Sequence, residues 1–134
     1  FLFCKLPSDR VTCYPYPKLK EKEPPWGEMK EQVHYMRVDG MTKKWGEASF
    51  YGGFLSENVT QAVSRDILAQ AIVRLEENAY PIILHCHDEV VTELDDSTPW
   101  SLSCFIKFMT EVPTWAQGLP IAAEGWKGRR YRKG

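Results

Sequence analysis

An α+β fold, with an antiparallel sheet and helices packed on one face, follows from three features of the sequence. A long run of apolar residues at helix spacing fills the middle of the chain. Two β-rich runs behind it lie too close together for a parallel crossover. The order of elements is strands, long helix, hairpin, helix, strand.

Residues 1–6 (FLFCKL) and 11–16 (VTCYPY) read as short strands around a turn at Pro7-Ser8-Asp9-Arg10. Prolines at 15, 17, 24 and 25 and the mixed charges of KLKEKEPPWGEMKE predict an exposed, solvated connection, and 31–38 (EQVHYMRV) a strand. A basic segment, Thr42 to Gly46, precedes a break at the paired glycines 52 and 53. Val59, Ala62, Val63, Ile67, Ala71, Ile72 and Leu75 recur at intervals of three and four. They predict an amphipathic helix over about 57–77, capped by Ser56 and ended at Asn78. Residues 80–86 and 90–94 predict an antiparallel hairpin around His87-Asp88-Glu89. Thr98 as cap and Pro99 in the first turn predict a helix over about 99–110, stopped by Pro113, before a last strand at about 121–126.

At 134 residues the chain suffices for one domain, 1–134, with a hydrophobic core; 43% apolar and 26% charged residues exclude a disordered chain. No apolar run approaches the roughly 18 residues of a membrane span, so no membrane partner is expected. The start Phe1-Leu2-Phe3-Cys4, without an initiator Met, fits a strand cut from something longer. Cys4, Cys13, Cys86 and Cys104 form no CxxC pair. They read as buried free thiols of a reducing, cytoplasmic protein rather than as disulfides or a zinc site. The net charge of −1 hides a split. Five of the 17 Lys+Arg fall in residues 127–134, leaving 12 against all 18 Asp+Glu: a basic patch on an acidic body.

Asp88 and Glu89 stand between Ile82-Ile83-Leu84 and Val90-Val91, where carboxylates are costly unless paired or bound to metal. Hard cations such as Mg²⁺ prefer carboxylate oxygens and can clamp both oxygens of a phosphoryl transfer. Neighbouring strand residues point to opposite faces, which makes Asp88 the direct ligand and Glu89 an outer partner. A polar hairpin tip in water explains the same residues equally well. His85 and His87 would share a strand face; a packed histidine, or a donor to a phosphate or backbone oxygen, explains them better than zinc. Asn58, Gln61 and Arg65 fall on one helical stripe, able to hydrogen-bond base edges and phosphate or simply to face water.

Tyr51-Gly52-Gly53 and ENVTQAVSRDILAQAIVRLEENAYPIILHCHDEVVTE (57–93) resemble the C-terminal palm region of family A DNA polymerases of the phage and prophage type. His87-Asp88-Glu89-Val90-Val91 resembles that family's motif C, and VPTWAQGLPIAAEGWKGRRYRKG (112–134) its closing segment. PSDR (7–10) resembles its PSGR turn, with Asp9 in place of glycine. The resemblance implies template-directed addition of deoxynucleotides to a primer 3′ end with two Mg²⁺ ions. Asp88 would be the second catalytic aspartate and metal ligand, Glu89 the supporting acid, and His87 would lie near the primer terminus. Gln61 would read the minor groove, supported by Arg65 and Asn58. Primer–template DNA, a deoxynucleoside triphosphate and the remaining N-terminal portion of the polymerase would be its partners.

The departures are specific. No DYSQIE-like segment carries the other catalytic aspartate, since Asp39 in VDGMTK and Asp9 do not resemble it, and the nucleotide-binding fingers helix is missing. Phe54 stands where phage relatives often carry a basic residue, which would weaken a DNA contact. Ala79-Tyr80 replaces Gly-Tyr, a change expected to be tolerated. The isolated chain is therefore expected to lack polymerase activity, and an unpaired sheet edge to self-associate or bind the missing part. Two rivals are a non-catalytic nucleic-acid-binding or structural remnant of a degraded prophage gene, and a small metal-dependent nuclease that would need a third acid.

Overall fold

A computed structural model describes residues 1–22, 30–97 and 99–131. The class is α+β, with the antiparallel strands distributed over three small sheets. The chain divides into two compact units, residues 1–63 and 64–134.

In the first unit, β1 (Leu2–Lys5) pairs with β2 (Val11–Tyr14) in the register Leu2↔Tyr14. Asp9 makes the turn at φ +66°, and its carboxylate lies 2.6 Å from Lys5 Nζ. A three-stranded sheet follows, β3 (Lys18–Lys22), β4 (Lys30–Val38) and β5 (Trp45–Phe50), with β4 in the centre. Strand β3 lies where an exposed connection is expected: Lys18↔His34 pairing gives its backbone partners, while its lysines suit an edge. Residues 23–29 of that connection lie outside the described residues. Asp39 organises the β4–β5 turn, accepting from the Met41 and Thr42 amides at 3.0 and 2.7 Å and from the Thr42 hydroxyl at 2.9 Å. His34 Nδ1 sits 2.9 Å from Glu47.

Tyr14 and Tyr35 are buried. Their rings meet edge-on at 5.2 Å, and Phe50 meets them at 4.6 and 5.5 Å. Phe54 joins this cluster 6.1 Å from Phe50, with the Arg37 guanidinium over its face at 5.3 Å. The cluster holds the start of α1 (Gly52–Glu77), which begins five residues before the predicted start. Ser56 is therefore no cap but lies within the helix, its carbonyl accepting from the Thr60 hydroxyl at 2.8 Å. Gly53 stands exposed in the first turn beside the Tyr51 ring, from which an added Cβ would lie 3.0 Å.

The second unit contains the rest of α1, β6 (Ile82–Cys86), β7 (Glu89–Thr92) and α2 (Leu102–Thr110). Ala71, Leu75, Tyr80 and Ala116 form its buried core, with Leu75 fully enclosed. Tyr80 packs on Trp100, Phe105 and Phe108 at 4.9, 5.4 and 6.0 Å and donates its hydroxyl to the Ser101 carbonyl at 3.2 Å. Burial, ahead of the nearby Cys104 thiol, holds the Tyr80 phenol above its ordinary pKa. Arg74 donates to the Phe108 carbonyl and lies 3.4 Å from Glu111, fastening α1 to the end of α2.

Helix α1 ends in a Schellman motif. The Tyr80 amide donates to the Leu75 carbonyl at 2.9 Å, the Ala79 amide to Glu76 at 3.1 Å, and Ala79 takes φ +61°. The predicted start of the second helix at Thr98 lies outside the described residues; α2 itself begins after Ser101. The predicted strand at 121–126 is not formed. That segment packs instead on α2, where a Cβ at Gly125 would lie 3.0 Å from the Leu102 side chain, so the backbone has no strand to pair with. All four cysteines are free, but Cys4 is half-buried and Cys13, Cys86 and Cys104 are exposed, against the expected burial. No helix among the described residues is long and apolar enough to cross a membrane.

Candidate functional site

The hairpin β6–β7 is antiparallel, with Cys86 opposite Glu89, so only His87 and Asp88 make the turn. A register shift between Ile82 and Leu84 adds a bulge near its base. There the Ile82 amide donates to Glu76 at 2.6 Å and the Thr92 hydroxyl to the Pro81 carbonyl at 2.7 Å. His87 takes φ +53° while Asp88 does not share the positive φ. That sign pattern belongs to II′ turns, whose first central position favours glycine.

Asp88 is therefore exposed at the tip and not buried beside the apolar strand residues; Ile83 and Leu84 themselves are 58% and 48% exposed. Desolvation therefore exerts no drive toward a metal at this position, and the carboxylate is accessible. Glu89 is half-buried and differs from Asp88 in having a partner, the Tyr131 hydroxyl, which donates to Oε2 at 3.0 Å. This hydrogen bond first, then burial and the negative potential of Glu89 and Cys86, raises the Tyr131 phenol above its ordinary pKa. His85 lies on β6 and His87 in the turn, so the strand alternation that would align them stops at Cys86. Among the described residues no three His, Cys, Asp or Glu side chains converge as a metal site. The described residues thus do not by themselves make up a complete Mg²⁺ or zinc centre; Asp88 presents an accessible carboxylate.

Asn58, Gln61 and Arg65 all lie on α1 as the spacing predicts, Asn58 and Gln61 in the first unit and Arg65 in the second. Gln61 is exposed and donates its amide to Glu57 at 3.2 Å, an i,i+4 contact that a ligand could replace. Asn58 is half-buried. Arg65 is exposed, its guanidinium 3.5 Å from the buried Asp66 carboxylate. Tyr131 is a contact of the hairpin that no motif of the sequence marks. It lies 42 residues from Glu89, and the only signal was the basic run in which it stands.

No family model matches the chain, and no solved structure does. A DNA polymerase of Bacillus phage SP02 is 38% identical over 134 residues, covering 98% of this chain but 20% of the relative. The chain is thus similar, over nearly its whole length, to about a fifth of a phage DNA polymerase.

Proposed function

We propose that this chain is the C-terminal palm portion of a family A DNA polymerase, serving DNA replication as a nucleotidyltransferase. The observation that carries the reading is the identity to a phage DNA polymerase along nearly the whole chain. The motif C hairpin supports it with an exposed carboxylate at a two-residue tip.

In this reading Asp88 supplies one carboxylate to a two-metal site, completed by a carboxylate outside this chain. When bound, Mg²⁺ supplies the charge neutralisation that phosphoryl transfer needs. Glu89, held by Tyr131, supports the tip from its base, and His87 presents a donor beside the primer terminus. Gln61 exchanges its Glu57 contact for the minor groove, and Asn58 and Arg65 add hydrogen bonds to the DNA. Primer–template DNA, a deoxynucleoside triphosphate and the remaining polymerase portion are the partners. The exposed edges of the small sheets suit pairing with that portion or with a second copy.

With one acid of the pair the isolated chain is inactive. The test is primer extension with Mg²⁺ or Mn²⁺, by the chain alone and by the phage SP02 polymerase carrying this segment in exchange for its own. The expected outcome is no extension by the chain, extension by the chimera, and a loss on the order of 10³-fold in the chimera with Asp88→Asn. Template-dependent extension by the purified chain, or an unimpaired Asp88→Asn chimera, refutes the reading.

A further inference from the structure

The segment from Gly125 to Tyr131 is tied to the second unit at both its ends and folds on itself between them. Gly125 lies against Leu102 and Ile106 of α2, where an added Cβ would approach to 3.0 and 3.5 Å. The Trp126 indole folds back over Gly128 so closely that a Cβ there would come within 2.6 Å of the ring. Tyr131 is fastened to Glu89 by its hydroxyl at 3.0 Å. Between these anchors Trp126, Gly128, Arg129, Arg130 and Tyr131 line an open concavity of about 530 Å³.

The chemistry of that lining is selective. Arg129 and Arg130 are exposed, and neither guanidinium is in an ion pair among the described residues. Trp126 and Tyr131 leave 42% and 50% of their surface in water despite their anchors. Two guanidinium groups and two partly open aromatic rings around one hollow match a phosphodiester chain whose bases are free to stack. Bases within a duplex already stack on each other and leave no face for an aromatic ring. A flat basic surface would suit a duplex; a hollow with rings suits an unpaired strand.

We infer that residues 126–131 form a binding site for single-stranded DNA, in which Arg129 and Arg130 hold successive phosphates and Trp126 and Tyr131 stack on bases. The site goes beyond the polymerase reading and stands without it. Its position is fixed to the hairpin through Tyr131 and Glu89, so a strand held there lies beside the motif that carries Asp88.

The test is fluorescence anisotropy of the 134-residue chain with a labelled oligothymidylate of about twelve nucleotides, within the usual footprint of such sites, repeated over a series of salt concentrations. The single strand is expected to bind more tightly than a duplex of equal length. Replacing both arginines (Arg129→Gln, Arg130→Gln) should weaken binding about tenfold and lower the slope of log K against log salt by about 1.4, roughly 0.7 for each lost phosphate contact. The Arg129→Lys, Arg130→Lys pair keeps the charges and should keep the slope. Trp126→Ala should cost about tenfold with the slope unchanged, and Trp126→Phe, which retains a ring and the fold of the segment, distinctly less. Equal affinity for duplex and single strand, or an unchanged affinity and slope in the double Gln variant, overturns the inference. Binding lost in Gln61→Ala but not in the arginine variants also overturns it, and leaves the polymerase reading intact. Arginine-dependent binding by a chain whose chimera is inactive supports the site and defeats only the polymerase reading.

Discussion

Replacing Ala79 by glycine should stabilise the protein, although it deletes atoms and adds none. Ala79 closes the Schellman motif of α1 at φ +61°, a conformation that crowds the Cβ of any L-residue against its own backbone. Relieving that crowding contributes about 1–2 kcal/mol. The added freedom of glycine in the unfolded chain offsets about 0.4–1 kcal/mol of it. The Ala79 side chain is exposed, so no packing is lost. The net expectation is a gain of about 0.5–1 kcal/mol, read as a rise of about half a molar in the urea midpoint at unchanged slope. Urea titration followed by circular dichroism at the helix band measures it, with Ala71→Gly as the opposite control. Ala71 lies buried in the helix interior, where glycine costs about 1 kcal/mol in propensity alone. If Ala79→Gly leaves the midpoint unchanged or lowers it, the left-handed closure of α1 is wrong, and with it the junction between helix and hairpin.

Other perturbations test other parts. Leu75 is fully enclosed, so Leu75→Ala should cost about 3 kcal/mol in the same titration, whereas Val73→Ala, at a position 55% exposed on the same helix, should stay within about 0.5 kcal/mol; equal costs would mean that Leu75 is not a core residue. His87→Gly should raise stability by about 0.5–1 kcal/mol by relieving φ +53°, while lowering extension by the chimera, and a loss of stability would contradict the turn. Asp39, held low by the Thr42 amide and hydroxyl and the Met41 amide, and Asp95, held low by the Ser97 hydroxyl and amide, should titrate below ordinary carboxylates. Their contribution to the turns is present above the unfolded value of about 3.9 and lost as pH falls through the folded values. Carboxyl NMR titration checks this; titration at or above the ordinary value in either residue refutes its hydrogen bonds.

What the sequence makes legible depends on the range of the interaction that forms each element. The body of α1 and the β6–β7 hairpin are written in local patterns, apolar spacing of three and four and two β-rich runs around a short tip; the helix body forms as read, and the hairpin forms with Glu89 in its second strand instead of at the tip. Strands β3 and β5 are not so written. KLKEK has too few apolar residues to announce a strand, and it becomes one because β4 offers its edge. WGEASF is obscured by the glycines after it, which look like a break although both stand in the first turn of α1. The segment 121–126 fails in the other direction, since Gly125 brings its backbone against α2 and no strand accompanies it. At the candidate site the carboxylates are legible by type, but the exposure of Asp88 follows from a two-residue turn that the pattern alone did not fix. The Tyr131–Glu89 bond spans 42 residues and no local pattern could contain it.

The two positions where this sequence departs from the glycines of the pattern it resembles bear directly on the proposed reading. Asp9 replaces the glycine of PSGR, and Ala79 that of the Gly-Tyr pair. Both residues adopt positive φ, +66° and +61°, the conformation in which glycine is favoured. The backbone at both positions is thus one that glycine adopts without crowding, so restoring glycine there relieves strain. The two losses are not equal. Aspartate enters the left-handed region more readily than alanine, because its short polar side chain can hydrogen-bond locally, and Asp9 also meets Lys5 at 2.6 Å. Asp9→Gly should therefore gain less than Ala79→Gly. A larger gain at Asp9 would mean that the first turn carries the greater strain and that neither its polar side chain nor the Lys5 contact relieves it.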